Sequence, residues 1–411
     1  MAYQTNNKKD KPMPLEGVRI VEYGVFHAGP GAGAILGDLG ADVIKIEDGI
    51  GDPARHWTDV GGIDFCLPDG DNVWYHIANR NKKGIYLDIK KEKGKEILFR
   101  LIEEADVFLT NLRSSTKTSL GIDYETMRGV NPKIIHANVS GYGPEGPVKD
   151  LGAYDPMGQA RSGIMYITGA ENPALLNIAV LDQATAISAS HAILTALFFR
   201  ERHGIGQEIH VSLYSTGLWL MYPNMVLVGS LSIDPNLGWD RLKNSPLRNR
   251  FCCQDGKWII GAHHPEEKYW PSFCEATDQG KLLSDPRFKD HEGRRDNCPE
   301  LISIFDKVFA SRTRDEWMEI FLSHNLMFSP VQRINEVLED PQALINDYVV
   351  DFEHPVLGKV KIPGYPVHFS AARAGTQSLG PGIGEHTDQI MHWMNYADQD
   401  IKKLKKEEII R

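Results

Sequence analysis

VRIVEY (residues 18–23), AGPGAGAILGDLG (28–40) and DVIKIE (42–47) decide the architecture of this chain. The first and third stretches are short β-branched runs, and the one between them is rich in small residues with a helical pattern, which together read as a βαβ unit. Working outward, Ile85–Leu87, Val107–Thr110 and Ile134–Val139 are further strand candidates, with a helical stretch from Lys93 to Glu104 between the first two. Strands that alternate with helices predict a doubly wound, Rossmann-like α/β sheet. Thr185–Arg202 is long, Ala-rich and largely apolar, the composition of a buried helix, and Glu208–Leu213 after it reads as another strand.

From about residue 229 the pattern changes. FCCQDGKWIIGA (251–262) reads as a hairpin turning at Gln254-Asp255-Gly256. Helical segments follow at Glu267–Thr277, Pro299–Phe309 and Arg314–Ser323, and then come a helix at Ile334–Leu338, a strand pair within Val349–Pro363 and a charged C-terminal helix. The expected division is a large α/β domain over 1–228, a smaller α+β domain over 229–333, and a C-terminal part over 334–411 that returns to the large domain.

The 411 residues suffice for two or three domains. Hydrophobic residues make up 42% and charged residues 24%, too apolar for a disordered chain. Forty-five Lys and Arg against 55 Asp and Glu leave a net charge of −10, so nothing global attracts nucleic acid or an anionic membrane. An anionic substrate therefore needs a local positive site. Five unpaired-looking cysteines (Cys66, Cys252, Cys253, Cys274, Cys298) suggest neither a disulfide framework nor a zinc site. With no apolar leader-like stretch near residue 1, a cytoplasmic location is expected.

Gly29, Gly31, Gly33 and Gly37 do not make a full dinucleotide fingerprint; only the looser form ending in Ala34 is met. A Gly-rich turn at a helix N-terminus still suits a phosphate, because free amides and the helix dipole favour an anion there. Ser140 lacks the flanking glycines of a nucleophile elbow, and His27, His263, His264 and His386 show no ligand spacing, so no metal site is expected. Asp182 opens a very apolar helix, where a carboxylate is either an N-cap or a functional group.

The chain resembles the class III coenzyme A transferases, the family of formyl-CoA, carnitine and bile-acid CoA transferases that also contains 2-methylacyl-CoA racemases. The resemblance rests on PLEGVRIVEY, AGPGAGAILGDLGADVIKIE, NRNKKGIYLD (79–88), ADVFLTNLR (105–113), VSGYGPEGP, YDPMGQARSG, the Asp182 segment, GIGQEIHVSL (204–213) and GEHTD (384–388). It implies that Asp182 is the nucleophile, attacking an acyl-CoA thioester to give a mixed anhydride and then an aspartyl-CoA thioester. It also implies that Tyr154, Asp155 and His27 orient substrates, and that Ala28, Leu87, Asp88, Lys90, Asn111, Leu112 and Arg113 contact coenzyme A. The substrates are acyl-CoA and a carboxylic acid, and no prosthetic group is expected. A carboxylate with an ordinary pKa near 3.9 is already ionised at neutral pH and needs no activating base. Members of the family form homodimers in which each chain threads the ring made by the other.

The chain departs from the formyl-CoA branch in three places. His27 stands where those members have Gln, and Asp48 and Ser119 stand where they have phosphate-binding Arg; Lys117, Lys82 or Lys83 are the candidate substitutes. Two other readings compete with transfer. Racemases carry a His where this chain has Tyr154 and a Glu where it has His264, and Tyr is a poor base at neutral pH. A catalytically idle CoA-binding subunit is opposed by Asp182. TNLRSSTKTSLGIDYET and INDYVV are closer to the branch acting on (R)-2-hydroxy acids, and Trp219, Tyr222, Met225 and Trp239 either wall a roomy apolar pocket or belong to the core, so a bulky or 2-hydroxy acid is the expected substrate.

Overall fold

In the computed structural model, which describes residues 11–60, 62–167, 172–176, 179–232 and 240–411, six strands form one sheet. They are β1 (Arg19–Tyr23), β2 (Asp42–Glu47), β3 (Lys82–Tyr86), β4 (Val107–Thr110), β5 (Ile135–Ser140) and β6 (Gln207–Ser212). Their order is 3-2-1-4-5-6, and every neighbouring pair is parallel. The strand order reverses between β1 and β4, and in such sheets the crevice beyond the strand ends at that point is where ligands bind.

Successive strand residues face opposite sides of the sheet, and both sides are covered. Val21 and Phe108 enter a core with Leu98, Leu101 and Ile102 of the helix Glu92–Glu103. Ile20, Val107 and Leu109 enter a second core on the other side. There they meet α1 (Ala28–Asp38) and a 24-residue helix that follows α2 (Asp155–Ser162) and is called α3 (Val180–His203). The small residues serve close approach: a Cβ on Gly31 of α1 would lie 3.0 Å from that of Ala186 on α3.

A buried ion cluster fixes α1 on the sheet. Glu22 on β1 pairs with Lys45 at 3.2 Å and Lys82 at 2.7 Å, all three side chains fully buried, and Lys82 Nζ also donates to the Pro30 carbonyl at 2.8 Å. Gly33 is obligatory beside it, since a Cβ there would fall 2.1 Å from Glu22 Oε2. This removes Lys82 as a phosphate ligand, because its ammonium is sealed in the core. Lys83 is occupied too, at 2.7 Å from Asp42.

The chain divides into two compact units, one of Met1–Met165, Pro173–Ile233 and Asp347–Arg411, the other of Tyr166–Asn172 and Asp234–Asn346. In the first, Asp347–Arg411 supplies the strand pair Val349–His354 and Gly358–Pro363 and the core residues Ile390, Met391, Ile401 and Leu404. The second has an aromatic core, including Phe251 stacked on Phe309 at 4.2 Å. Its hairpin strands Arg250–Cys252 and Trp258–Gly261 are joined by a third, Phe328–Val331, which sequence alone did not predict. Arg314–Ser323 is helical over the expected residues. The long helix begins at Val180, five residues before the expected Thr185. Among the described residues no helix is long and apolar enough to cross a membrane.

Candidate active site

The first turn of α3 carries Asp182, but Asp182 does not cap it. The residue before the helix, Ala179, is in the left-handed conformation with φ 48° and provides no side-chain cap. Asp155, the first residue of α2, supplies the acceptor instead: its Oδ2 takes the Leu181 amide at 2.6 Å and the Asp182 amide at 3.0 Å. Asp155 is held in turn by Gln159, whose Nε2 donates to its Oδ1. Gln159 also accepts the Leu176 amide at 2.9 Å and donates to the Leu176 carbonyl at 2.9 Å. With the helix amides satisfied from outside, the Asp182 side chain is left free. No described residue donates a hydrogen bond to it. Burial, and secondarily the Asp155 charge, push its carboxyl up to about 7. The expectation that Asp182 ionises as an ordinary aspartate is therefore corrected: burial makes its carboxylate harder to form.

The β1–α1 turn brings His27 to the same place. Asn111, just beyond β4, clamps the turn by accepting the Val25 amide at 2.9 Å and donating to its carbonyl at 2.7 Å. Phe26 takes a left-handed φ of 60°, its amide held at 3.0 Å by Asp52, which is itself 3.0 Å from Lys45. His27 follows, buried, with Nε2 at 2.9 Å from Gln183 Oε1 and its ring 5.2 Å from that of Trp74. Burial lowers its pKa, so the imidazole is neutral at physiological pH. Tyr154 is half exposed and stands edge-on to Phe26 at 5.4 Å.

Phe26, His27, Tyr154 and Asp182 line two cavities at once. One, of about 240 Å³, has Arg113, Lys117 and Lys149 on its wall, together with Ala28, Asn111 and Leu112. Lys117 is buried and donates to Asn138, whereas Arg113 has no ion-pair partner among the described residues. The other, of about 670 Å³, has Trp57, Phe65, Trp74 and Asp155 on its wall and no Lys or Arg among its described lining residues. The carboxylate thus stands where a cation-lined chamber meets an aromatic one.

The expected site residues separate into two groups. His27, Ala28, Asn111, Leu112, Arg113, Tyr154, Asp155 and Asp182 come together around these cavities. Leu87, Asp88 and Lys90 line neither. Leu87 is fully buried and bridged to Ile410, the Asp88 amide donates to the Ile409 carbonyl at 2.9 Å, and Lys90 is paired with Asp48 at 2.8 Å. Trp219, Tyr222 and Met225 are exposed and line neither cavity, so they are neither core nor pocket wall, and Trp239 lies outside the described residues. His263 is a structural histidine, bonded to the Leu247 carbonyl and the Met327 amide. Sequence reasoning missed Gln183 and Gln159 as positioning groups, although Gln183 adjoins Asp182, and it missed the aromatic wall because Trp57, Phe65 and Trp74 share no periodicity.

A switch-point crevice in a 3-2-1-4-5-6 parallel sheet, with a free carboxylate facing a cationic chamber, defines an α/β enzyme built for an anionic ligand. The chain belongs to CoA-transferase family III, whose family model matches residues 15–387. It is 32% identical over 398 residues to a human succinyl-CoA:glutarate CoA-transferase, covering 95% of this chain and 88% of that protein. It is 31% identical over 404 residues to the cinnamoyl-CoA:phenyllactate CoA-transferase of Clostridium sporogenes, covering 96% and 97%. The fold is similar to that of a CaiB/BaiF family protein from Brucella suis, with a TM-score of 0.82, 28% identity, and coverage of 93% of this chain and all of that one. The family resemblance read from the motifs is thereby established, and with it an enzyme that uses CoA thioesters as substrates.

Proposed function

We propose that the protein moves CoA from an acyl-CoA to a bulky or 2-hydroxy carboxylic acid through covalent intermediates on Asp182. The observation that carries this reading is the Asp182 carboxylate, free of capping duty and shared by the cationic and aromatic cavities. An Asp182 oxygen attacks the thioester carbonyl, the C–S bond breaks, and CoA departs as thiolate, leaving the mixed anhydride. The thiolate attacks the Asp182 carbonyl of that anhydride, forming aspartyl-CoA and releasing the first acid. The second acid's carboxylate attacks aspartyl-CoA, expelling thiolate, which then takes the acyl group from the new anhydride and restores Asp182. Transfer between two carboxylates needs an enzyme carboxylate that holds each acyl group in turn.

Arg113, Lys117 and Lys149 offer charge for the anionic CoA near the α1 N-terminus. Leu87, Asp88 and Lys90, which line neither cavity, are coenzyme A contacts on the family resemblance alone. Tyr154 is the donor available to a developing oxyanion, and neutral His27, whose Nε2–H is engaged by Gln183 Oε1, positions the groups around it. Assembly as an interlocked homodimer is part of the same reading, and it is supported by the exposed apolar helix Tyr222–Leu231, which has no buried residue in the single chain. Racemisation has less support, since Tyr154 stands where a proton-abstracting base is needed.

The test is to mix the protein with acyl-CoA, trap with hydroxylamine or borohydride, and map the modified peptide. Labelling of Asp182, with loss of transfer in Asp182→Ala, is expected. A label elsewhere, or transfer surviving in Asp182→Ala, overturns the assignment. Exchange of the α-proton of a 2-methylacyl-CoA without acyl transfer would favour the racemase.

A further inference from the structure

The aromatic cavity beside Asp182 has a property that bears on which acids can enter. We propose that it is the acyl chamber and that it selects apolar or aromatic monocarboxylic acids against dicarboxylic ones. This rests on the reading of Asp182 as the acyl-accepting nucleophile.

The chamber is about 670 Å³, within the range of about 300–1,000 Å³ typical of small-molecule sites. Trp57, Phe65 and Trp74 interlock on one side: Trp57 meets Trp74 edge-on at 5.8 Å, and Phe65 stacks on Trp74 at 5.6 Å. Flat rings at those separations present a hydrocarbon wall to an acyl chain. Its charge is one-sided. The only basic side chains on the described wall are His27 and His56. His27 is kept neutral by burial, and His56 Nε2 is engaged with the Ile50 carbonyl at 3.1 Å.

The primary structure extends the point beyond the wall itself. Residues 57–75, which carry the three aromatics, contain four aspartates (Asp59, Asp64, Asp69, Asp71) and no Lys, Arg or His. Residues 162–190, which carry Leu175, Leu176 and Asp182, contain no Lys, Arg or His either. Asp155 and Asp182 are themselves on the wall. A distal carboxylate on the acyl chain would be taken out of water with no Lys or Arg on the described wall to pair it and the Asp155 carboxylate nearby, which strongly disfavours its entry. An uncharged ring or branched chain meets no such barrier.

The experiment measures the acylation half-reaction, as the burst of CoA released and as label on the Asp182 peptide, with 3-phenylpropanoyl-CoA, 4-methylpentanoyl-CoA, succinyl-CoA and glutaryl-CoA. The expected result is a preference of at least about a hundredfold for the first two. Ile63, exposed on the rim of the same chamber, allows a second measurement in a variant that leaves the core untouched. Ile63→Arg should narrow the preference at least about tenfold by admitting glutaryl-CoA, with CoA affinity unchanged. Acylation by succinyl-CoA or glutaryl-CoA as fast as by 3-phenylpropanoyl-CoA overturns the selectivity while leaving the transferase reading intact. An unaltered preference in Ile63→Arg places the acyl group elsewhere. Failure of all four thioesters to acylate Asp182 counts against the transferase reading itself.

Discussion

Asp155 Oδ2 accepts the backbone amide of Asp182 at 3.0 Å, so one carboxylate caps the helix that presents the other. The arrangement performs two tasks. It fixes where Asp182 points, and it places a like charge near enough to help hold the Asp182 proton to about pH 7.

Asp155→Ala should lower stability by about 1–2 kcal/mol through loss of the cap. With the neighbouring charge gone, it should also shift the acid limb of the pH–rate curve to lower pH. Asp155→Asn keeps an acceptor oxygen and should recover much of the stability while retaining the shift in pH profile. An acid limb that stays in place in both variants would show that Asp155 does not act on Asp182.

Because the folded state raises the Asp182 pKa from 3.8 to about 7, the folded protein binds this proton more tightly than the unfolded chain. The stability this contributes is present in full below about pH 4 and is lost as pH rises to about 7. Asp182→Asn, which cannot ionise, should therefore be more stable than the natural protein at pH 8, on the order of 1–3 kcal/mol, and the difference should vanish near pH 4. Denaturant titrations at both pH values check this, and a variant no more stable at pH 8 would contradict the raised pKa.

On the proposed mechanism His27, kept neutral by burial, acts through its hydrogen bond with Gln183 without changing charge. His27→Gln, which preserves a polar contact toward Gln183, should keep transfer within about tenfold. His27→Ala should cost no more than about a hundred- to a thousandfold in kcat, the range for removal of one polarising donor. A loss in His27→Gln equal to that in His27→Ala would mean the imidazole itself is required.

Arg113 is exposed on the cationic cavity and has no ion-pair partner among the described residues. Arg113→Ala should weaken CoA binding by about 1.5–3 kcal/mol, the usual worth of a charged hydrogen bond. Lys83→Ala, which breaks only the pair with Asp42, should leave affinity unchanged. Calorimetry with CoA distinguishes the two, and equal affinities for Arg113→Ala and the natural protein would move the phosphates away from this wall.

Trp219, near the C-terminal end of the helix Leu213–Leu220, is 72% exposed, and Leu231, at the end of the following helix Tyr222–Leu231, is 61% exposed, that second helix having no buried residue in the single chain. An interlocked dimer should not dissociate on dilution without unfolding. Sedimentation at nanomolar concentration is the measurement, and a folded monomer there would refute the assembly.

The sequence by itself determined the sheet and the family. β-branched runs such as Asp42–Glu47 and Val107–Thr110 appear as strands over the expected residues, because short segments rich in Val and Ile fit a buried pleated sheet and local composition records that enrichment. Asp182 was visible as an anomaly, a carboxylate in an apolar helix. What only the tertiary structure decided was its chemical state and its surroundings. Whether Asp182 caps its own helix depends on whether another element supplies an acceptor, and Asp155 arrives from 27 residues earlier. Whether a lysine can meet a phosphate depends on which charges enclose it, and Glu22 seals Lys82 from a different strand. Trp57, Phe65 and Trp74 form one wall only because the chain between them folds back on itself. Pairing, burial and pKa are properties of distance in space, and spacing along the chain does not encode them.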